Sequence, residues 1–310
     1  MGVEKETVNR FIPEELDRYT YWIEERERIR HLKEELKQDP PWTEDPILKE
    51  FKFCQVFRED DRTTRWFRTH MREPLRNSPD VFMATIAFRF FNLIETGRTL
   101  LDNNLHIEWD RPKAIEEIKK NPKWITGAYI VKSPNRMDKV TGVTECVSHL
   151  WDDRENITKQ LESFTTLEEA WHFLMQYPYI GPFVSYEMVT DLRHTYLLEN
   201  ATDICSWGNP GPGAMRGLNR LTGRPLEFCK RSWDWHSEML DLYDWCSQKL
   251  DLSKLNYPFE MREVEGGLCE FDKYSRILKG QGRTRSVYNY SERNRPLIED
   301  IENGESRWEN

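Results

Sequence analysis

The stretch WGNPGPGAMRGLNR holds the residue types best suited to bind an anion. Gly208, Gly211 and Gly213 run straight into Arg216 and Arg220, so backbone amides at a helix start would lie just ahead of positive side chains. A rigid connecting turn would use the same Pro-Gly-Pro-Gly string. Upstream, YPYIGPF carries a second glycine–proline step, Gly181 before Pro182, with proline at the position favoured in the first helical turn. Such a turn lets a backbone approach a phosphate closely, which makes Tyr179, Gly181 and Phe183 candidate DNA contacts. An ordinary pair of packed helices would also place Pro and Gly there. Carboxylates near these turns could accept a proton. Glu187 and Asp191 are four residues apart on one helix face, where like charges repel, and Asp203 precedes the Gly-rich loop. Tyr186 and Trp207, with Phe183 and Trp233, could stack on an extruded base, although packing in the core is the competing use of each.

Helices must position these groups. Thr166 followed by Glu169 forms a capping box, and Leu167, Trp171, Leu174 and Met175 make an apolar stripe, so a helix starts at Thr166 and breaks at Tyr177 and Pro178. Val184, Met188 and Leu192 give the second helix its buried face. Residues 166–198 therefore have the layout of a helix-hairpin-helix, and 203–224 that of a Gly-rich loop with its helix. Leu16, Tyr19, Trp22, Ile23, Ile29, Leu32 and Leu36 predict an amphipathic outer helix from Pro13 to Lys37, stopped by Pro40 and Pro41. Pro46 restarts order, and ILKEFKFCQVF predicts a further helix. Residues 80–100 are apolar on nearly every side, the pattern of a central buried helix. Between 122 and 145, short apolar runs such as GAYIV fit either a brief strand or a loop. With β-alternation otherwise absent and no repeat or long linker, the reading is an all-α protein, one compact helical body over 1–310 that could divide into two lobes.

Composition narrows the class. The formal charge of −9 argues against coating nucleic acid by bulk electrostatics, so any DNA site must be local, built from clusters such as Arg58, Arg62, Arg65 and Arg68 or Arg216, Arg220 and Arg224. Solvated helix faces account for any one of these arginines. Twelve tryptophans exceed what a core of this size needs, which points some of them at a ligand. The six cysteines lack paired metal-ligand spacing, and His70, His149, His172, His194 and His236 lack any zinc-protease spacing, so no structural metal is expected. No signal-like start and no apolar run of about 18 residues occur, so the expected setting is cytoplasmic, away from membranes.

Four ordered motifs carry a family resemblance: PWTEDPIL with FCQVFREDDRTTRW, then IGPFVSYEMVTDLR, GPGAMRGLNRLTGR and LCEFDKYSR. Over about residues 40–280 the chain resembles the bacteriophage DNA thymine-hypermodification proteins. These include the α-glutamyl/putrescinyl thymine pyrophosphorylases, the amino acid:DNA transferases and the helical domain of the 5-hydroxymethyluracil DNA kinases. The resemblance implies a fold related to the helix-hairpin-helix DNA glycosylases, with double-stranded DNA carrying a modified thymine as partner, in a phage-infected host cell. Gly211 stands where a glycosylase would have its catalytic aspartate, Asp203 being the nearest acid upstream, and the hairpin holds no lysine nucleophile. Neither GNPGPGAMRG nor KGQGRTRS supplies an ATP-binding phosphate loop.

The remaining branch implies a transferase that replaces the pyrophosphate of 5-pyrophosphoryloxymethyluracil in DNA with an amine from an amino acid or polyamine. In that reading Gly211, Gly213, Arg216 and Arg220 hold the pyrophosphate, and Asp203, ahead of Glu187 and Asp191, deprotonates the amine. No cofactor is required, though a magnesium ion could escort the leaving group. The alternatives are a 5-hydroxymethyluracil glycosylase or kinase-associated domain, and a non-catalytic DNA-binding scaffold.

Overall fold

A computed structural model describes residues 10–126, 131–230, 232–282, 284 and 287–288. Its helices in chain order are α1 (Pro13–Arg30), α2 (Pro46–Glu50), α3 (Arg62–Phe67), α4 (Asp80–Phe91), α5 (Ile94–Asp102), α6 (Arg111–Ile118) and α7 (Lys139–Asp152). They continue with α8 (Arg154–Leu161), α9 (Leu167–Leu174), α10 (Pro182–Leu192), α11 (Pro212–Thr222), α12 (Trp235–Lys249) and α13 (Met261–Leu278). The fold is all-α: among the described residues the sole β pairing is an isolated bridge between Phe51 and Val287. The described residues divide into two compact units, those within 10–61 and 205–288, and those within 62–204.

In the first unit, α1, α2 and α11–α13 share one apolar core that includes Leu16, Tyr19, Trp22, Leu218, Met239, Leu268 and Phe271. The predicted outer helix is α-helical to Arg30, then widens to a π-turn over His31–Glu35. Charged side chains crowd that end: buried Arg30 is held by Glu27 at 3.0 Å and Glu35 at 2.6 Å. Order does restart at Pro46, with Asp45 capping the Ile47 and Leu48 amides, but α2 is short and the aromatic run after Glu50 is irregular. The chain there is held by side chains from other elements instead. Asp45 also accepts the Tyr274 hydroxyl at 2.6 Å, which ties α2 to α13.

In the second unit, α4 is buried along almost its whole length, as its all-round apolarity predicts. The expected single helix over 80–100 is two, because Asn92 adopts a left-handed conformation (φ 49°) that caps α4 before α5 begins. The GAYIV reading falls largely on 127–130, outside the described residues, and the following segment is helix α7 rather than strand. Helices α9 and α10, consecutive in the chain, pack against each other. The capping box of α9 is present as read, Thr166 accepting the Glu169 amide while Glu169 accepts the Thr166 amide.

Candidate anion and proton-transfer site

The two glycine–proline steps begin helices as predicted, with Gly181 and Gly211 as extended N-caps and Pro182 and Pro212 at the first helical positions. Their surroundings differ. A Cβ added to Gly181 would meet nothing within 4 Å, and the flanking Tyr179 and Phe183 are 38% and 47% exposed. Tyr179 sits at φ 68°, a left-handed turn conformation uncommon for a non-glycine residue. The three DNA-contact candidates thus share one open turn.

The Gly-rich segment is closed. The Gly211 amide donates to Glu265 at 3.3 Å, Pro212 has no amide hydrogen, and a Cβ on Gly213 would fall 2.4 Å from the Cys269 sulfur. One turn on, a Cβ on Gly217 would lie 2.4 Å from the Leu268 carbonyl oxygen. These glycines let α11 approach α13 at backbone distance, and the Gly211 amide, expected to face an anion, is taken by Glu265. The arginines behind them do gather. Asp272 of α13 accepts from Arg216 Nε at 2.9 Å and Arg220 Nε at 2.7 Å, while Arg220 also donates to Gln281. Arg220 is buried, whereas the Arg216 side chain is 43% exposed.

A cleft of about 640 Å³ opens beside this pair, lined by Arg216, Arg220, Arg276, Phe228, Cys229 and Asp272 among others. The terminal nitrogens of Arg216 donate to no acceptor among the described residues, and neither does Arg276, whose Nε is buried without a hydrogen bond. Two guanidinium groups are therefore available to an incoming anion. The sequence reading passed over Arg276, although LCEFDKYSR ends on it.

The carboxylate candidates are placed as follows. Asp203 accepts the Leu167 amide at 2.7 Å and the Glu168 amide at 3.1 Å, so both of its oxygens cap the start of α9. Asp191 is fully buried and makes a bidentate pair with Arg89 at 2.5 and 2.8 Å; removing one partner of such a pair costs about 3–5 kcal/mol. Glu187 is buried on the same helix. Of the stacking candidates, Tyr186 and Trp207 are buried at 2% and 8% exposure, while Trp233 lies 5.1 Å from the Arg224 guanidinium and donates to Glu238.

A second polar cluster in the first unit forms around the Glu270 and Lys273 of LCEFDKYSR, two residues whose types suit either a salt-bridge network or an amine donor. Cys54 donates its amide to Glu270 at 2.9 Å, Lys273 donates to the same oxygen at 3.1 Å, and Asp61 accepts the Gln55 amide at 3.1 Å. Glu270 and burial together push the Cys54 thiol well above its usual range, and burial, with Glu270 and Glu265, pushes Cys269 up to about 12. The Asp61 carboxyl rises to about 6, mainly through burial; the Gln55 amide and Arg58 lower it, Glu270 raises it and Arg262 lowers it. The signal was present, since these residues lie in FCQVFREDDRTTRW and LCEFDKYSR. Among the described residues no group of three or more His, Cys, Asp or Glu is arranged to hold a metal ion. No described helix is long and apolar enough to cross a membrane.

The family described as "5-hmdU DNA kinase, helical domain" matches residues 14–283. The chain belongs to this family. A relative from Bacillus phage SP10, a 5-hmdU DNA kinase, is 24% identical over 317 residues, covering 90% of this chain and 47% of the relative. The chain thus spans about half the length of that relative. No solved structure matches. Within this family member, the first unit brings together three of the motif segments on which the resemblance rests: Asp45 meets Tyr274, Cys54 meets Glu270, and Arg216 and Arg220 meet Asp272.

Proposed function

We propose that the protein acts on thymine-derived bases in DNA, replacing the pyrophosphate of 5-pyrophosphoryloxymethyluracil with an amine from an amino acid or polyamine. The observation that carries this reading is the cleft in which Arg216 and Arg276 keep guanidinium hydrogens without partners while Asp272 fixes Arg216 from behind. A leaving pyrophosphate gains negative charge as its C–O bond breaks, and donors already held in place stabilise that charge without reorganising. Any magnesium ion would arrive with the pyrophosphate as part of the substrate. The open turn at Tyr179, Gly181 and Phe183 supplies the DNA contact, in the manner of the helix-hairpin-helix glycosylases. Backbone there can reach a phosphate. With few phosphate contacts on an acidic chain, affinity should fall only shallowly with salt, with a log–log slope of roughly −2 to −4.

The test is incubation with DNA carrying 5-pyrophosphoryloxymethyluracil and a pool of amines, followed by nucleoside mass spectrometry and pyrophosphate assay. An amine-substituted nucleoside and released pyrophosphate are expected, with Arg216→Ala slower by about 10²-fold. Intact pyrophosphorylated base with every donor would sink the reading. The relative's description as a 5-hmdU DNA kinase supports a second reading, a base-recognising portion of a kinase. Tight binding of 5-hydroxymethyluracil DNA without amine transfer would favour it.

A further inference from the structure

The amine-transfer reading leaves one step without a residue. An amine is mostly an ammonium ion at neutral pH, and Asp203, Asp191 and Asp272 have both oxygens committed to amides or guanidinium groups. Asp61 does not. It follows the 3₁₀ turn Arg58–Asp60, is half-buried, and receives the Gln55 amide on Oδ1, while Oδ2 takes no hydrogen bond from the described residues. The loop that carries it is pinned on several sides. Arg26 of α1 donates to the Gln55 side chain at 3.0 Å and to the Cys54 carbonyl at 3.2 Å, Gln55 donates to Glu34 at 3.1 Å, and the Cys54 amide is held by Glu270. A carboxylate with one fixed and one open oxygen is pre-organised to take a proton without first giving up a partner.

The charged groups facing Asp61 are Arg58 from its own loop, Arg26 from α1, and Arg262 and Glu270 from α13, with the Cys54 thiol and with Lys273 beside Glu270. Cys269, next to Glu270 on the same helix, packs against Gly213, which lies ahead of Arg216 and Arg220, so the polar cluster meets the arginine-bearing helix α11 along α13.

We propose that Asp61 is the proton acceptor of the amine-transfer reaction, its open oxygen taking one hydrogen from the donor ammonium. The inference rests on the amine-transfer reading. The N–H bond breaks and the proton passes to Asp61 Oδ2. The nitrogen lone pair forms the C–N bond at the 5-methylene as the C–O bond breaks, and that bonding pair leaves with pyrophosphate. Asp61 then returns its proton to solvent.

The test uses the full chain, pyrophosphorylated DNA, and two donors: an alkylamine that is protonated at pH 7, and methoxyamine, which is neutral there. With the alkylamine, wild-type kcat/KM should rise through an acid limb near the Asp61 value of about 6 and then level off. Without the carboxylate, only free amine reacts, and the profile should climb steadily toward the donor's own pKa. Asp61→Asn should therefore lose roughly 10²-fold or more with the alkylamine at pH 7, much less with methoxyamine, and nothing in DNA affinity; Asp61→Glu should recover part of the rate. Equal losses with both donors, or a loss under threefold with the alkylamine, overturn the assignment while transfer itself stands. A wild-type profile lacking the acid limb overturns it without recourse to any variant. No adduct from the wild-type protein with either donor overturns both the assignment and the reading beneath it.

Discussion

Two helices of this protein begin with the same pair of residues, and the pair does different work in each. At Gly181–Pro182 the start of α10 faces open space, with exposed rings on either side. At Gly211–Pro212 the start of α11 is pressed toward α13, its amide taken by Glu265 and its later glycines filled by Cys269 and the Leu268 backbone. Local sequence specifies the cap in both places, and the helix packed opposite decides whether the cap is a surface or a seam. A glycine–proline step is thus a poor guide to ligand contact until the neighbouring element is known.

The contrast can be broken most directly at the glycines. Gly217→Val should destabilise the protein by about 3 kcal/mol or more in denaturant unfolding, because backbone rather than a mobile side chain blocks the new atoms. Gly181→Val should cost no more than about 1 kcal/mol, the scale of a weakened cap, and keep its helical circular dichroism, yet lose DNA affinity. Equal stability losses at the two sites would erase the distinction.

A smaller effect should mark the closed side. Glu263 caps the start of α13, and burial, with a contribution from Glu260, raises its carboxyl to about 8. Its folded value lies above its unfolded one, so the stability it contributes is complete below about pH 4.5 and is lost as pH rises through about 8. Glu263→Gln, which mimics the protonated form, should lie close to wild type at pH 5 and be the more stable of the two at pH 9. Parallel thermal-melting curves across that range would show Glu263 to be solvated instead.

The smallest effect belongs to the hairpin. Asp203→Ala removes the acceptor from the Leu167 and Glu168 amides and should cost about 1 kcal/mol, with faster hydrogen exchange at those two amides. Unchanged exchange would mean that Thr166 and Glu169 hold the start of α9 without it.

Elements with a local cause were legible in the chain: the Thr166 capping box, the Pro-Gly helix starts, and the all-round apolarity of α4. What escaped has a non-local cause. Nothing near Asp203 reveals that its oxygens reach 35 residues back to Glu168, and nothing near Asp191 announces Arg89. The break at Asn92 interrupts a pattern whose hydrophobicity continues across it, so periodicity alone reads one helix. Asp61 and Arg276 stood in motifs already singled out, yet their roles depend on which of several acids and arginines are left unengaged, a property visible only once the others are paired.

The seam between α11 and α13 has a mechanical side as well. With Gly217 against the Leu268 carbonyl and Gly213 under Cys269, backbone meets backbone and little compressible side chain remains between the helices. Such a joint resists sliding and narrowing alike. Arg216 and Arg276 project from its two halves, so their helices set a gauge rather than a clamp: an anion is accepted by fitting a spacing already fixed, and one too short to touch both would gain only half the grip.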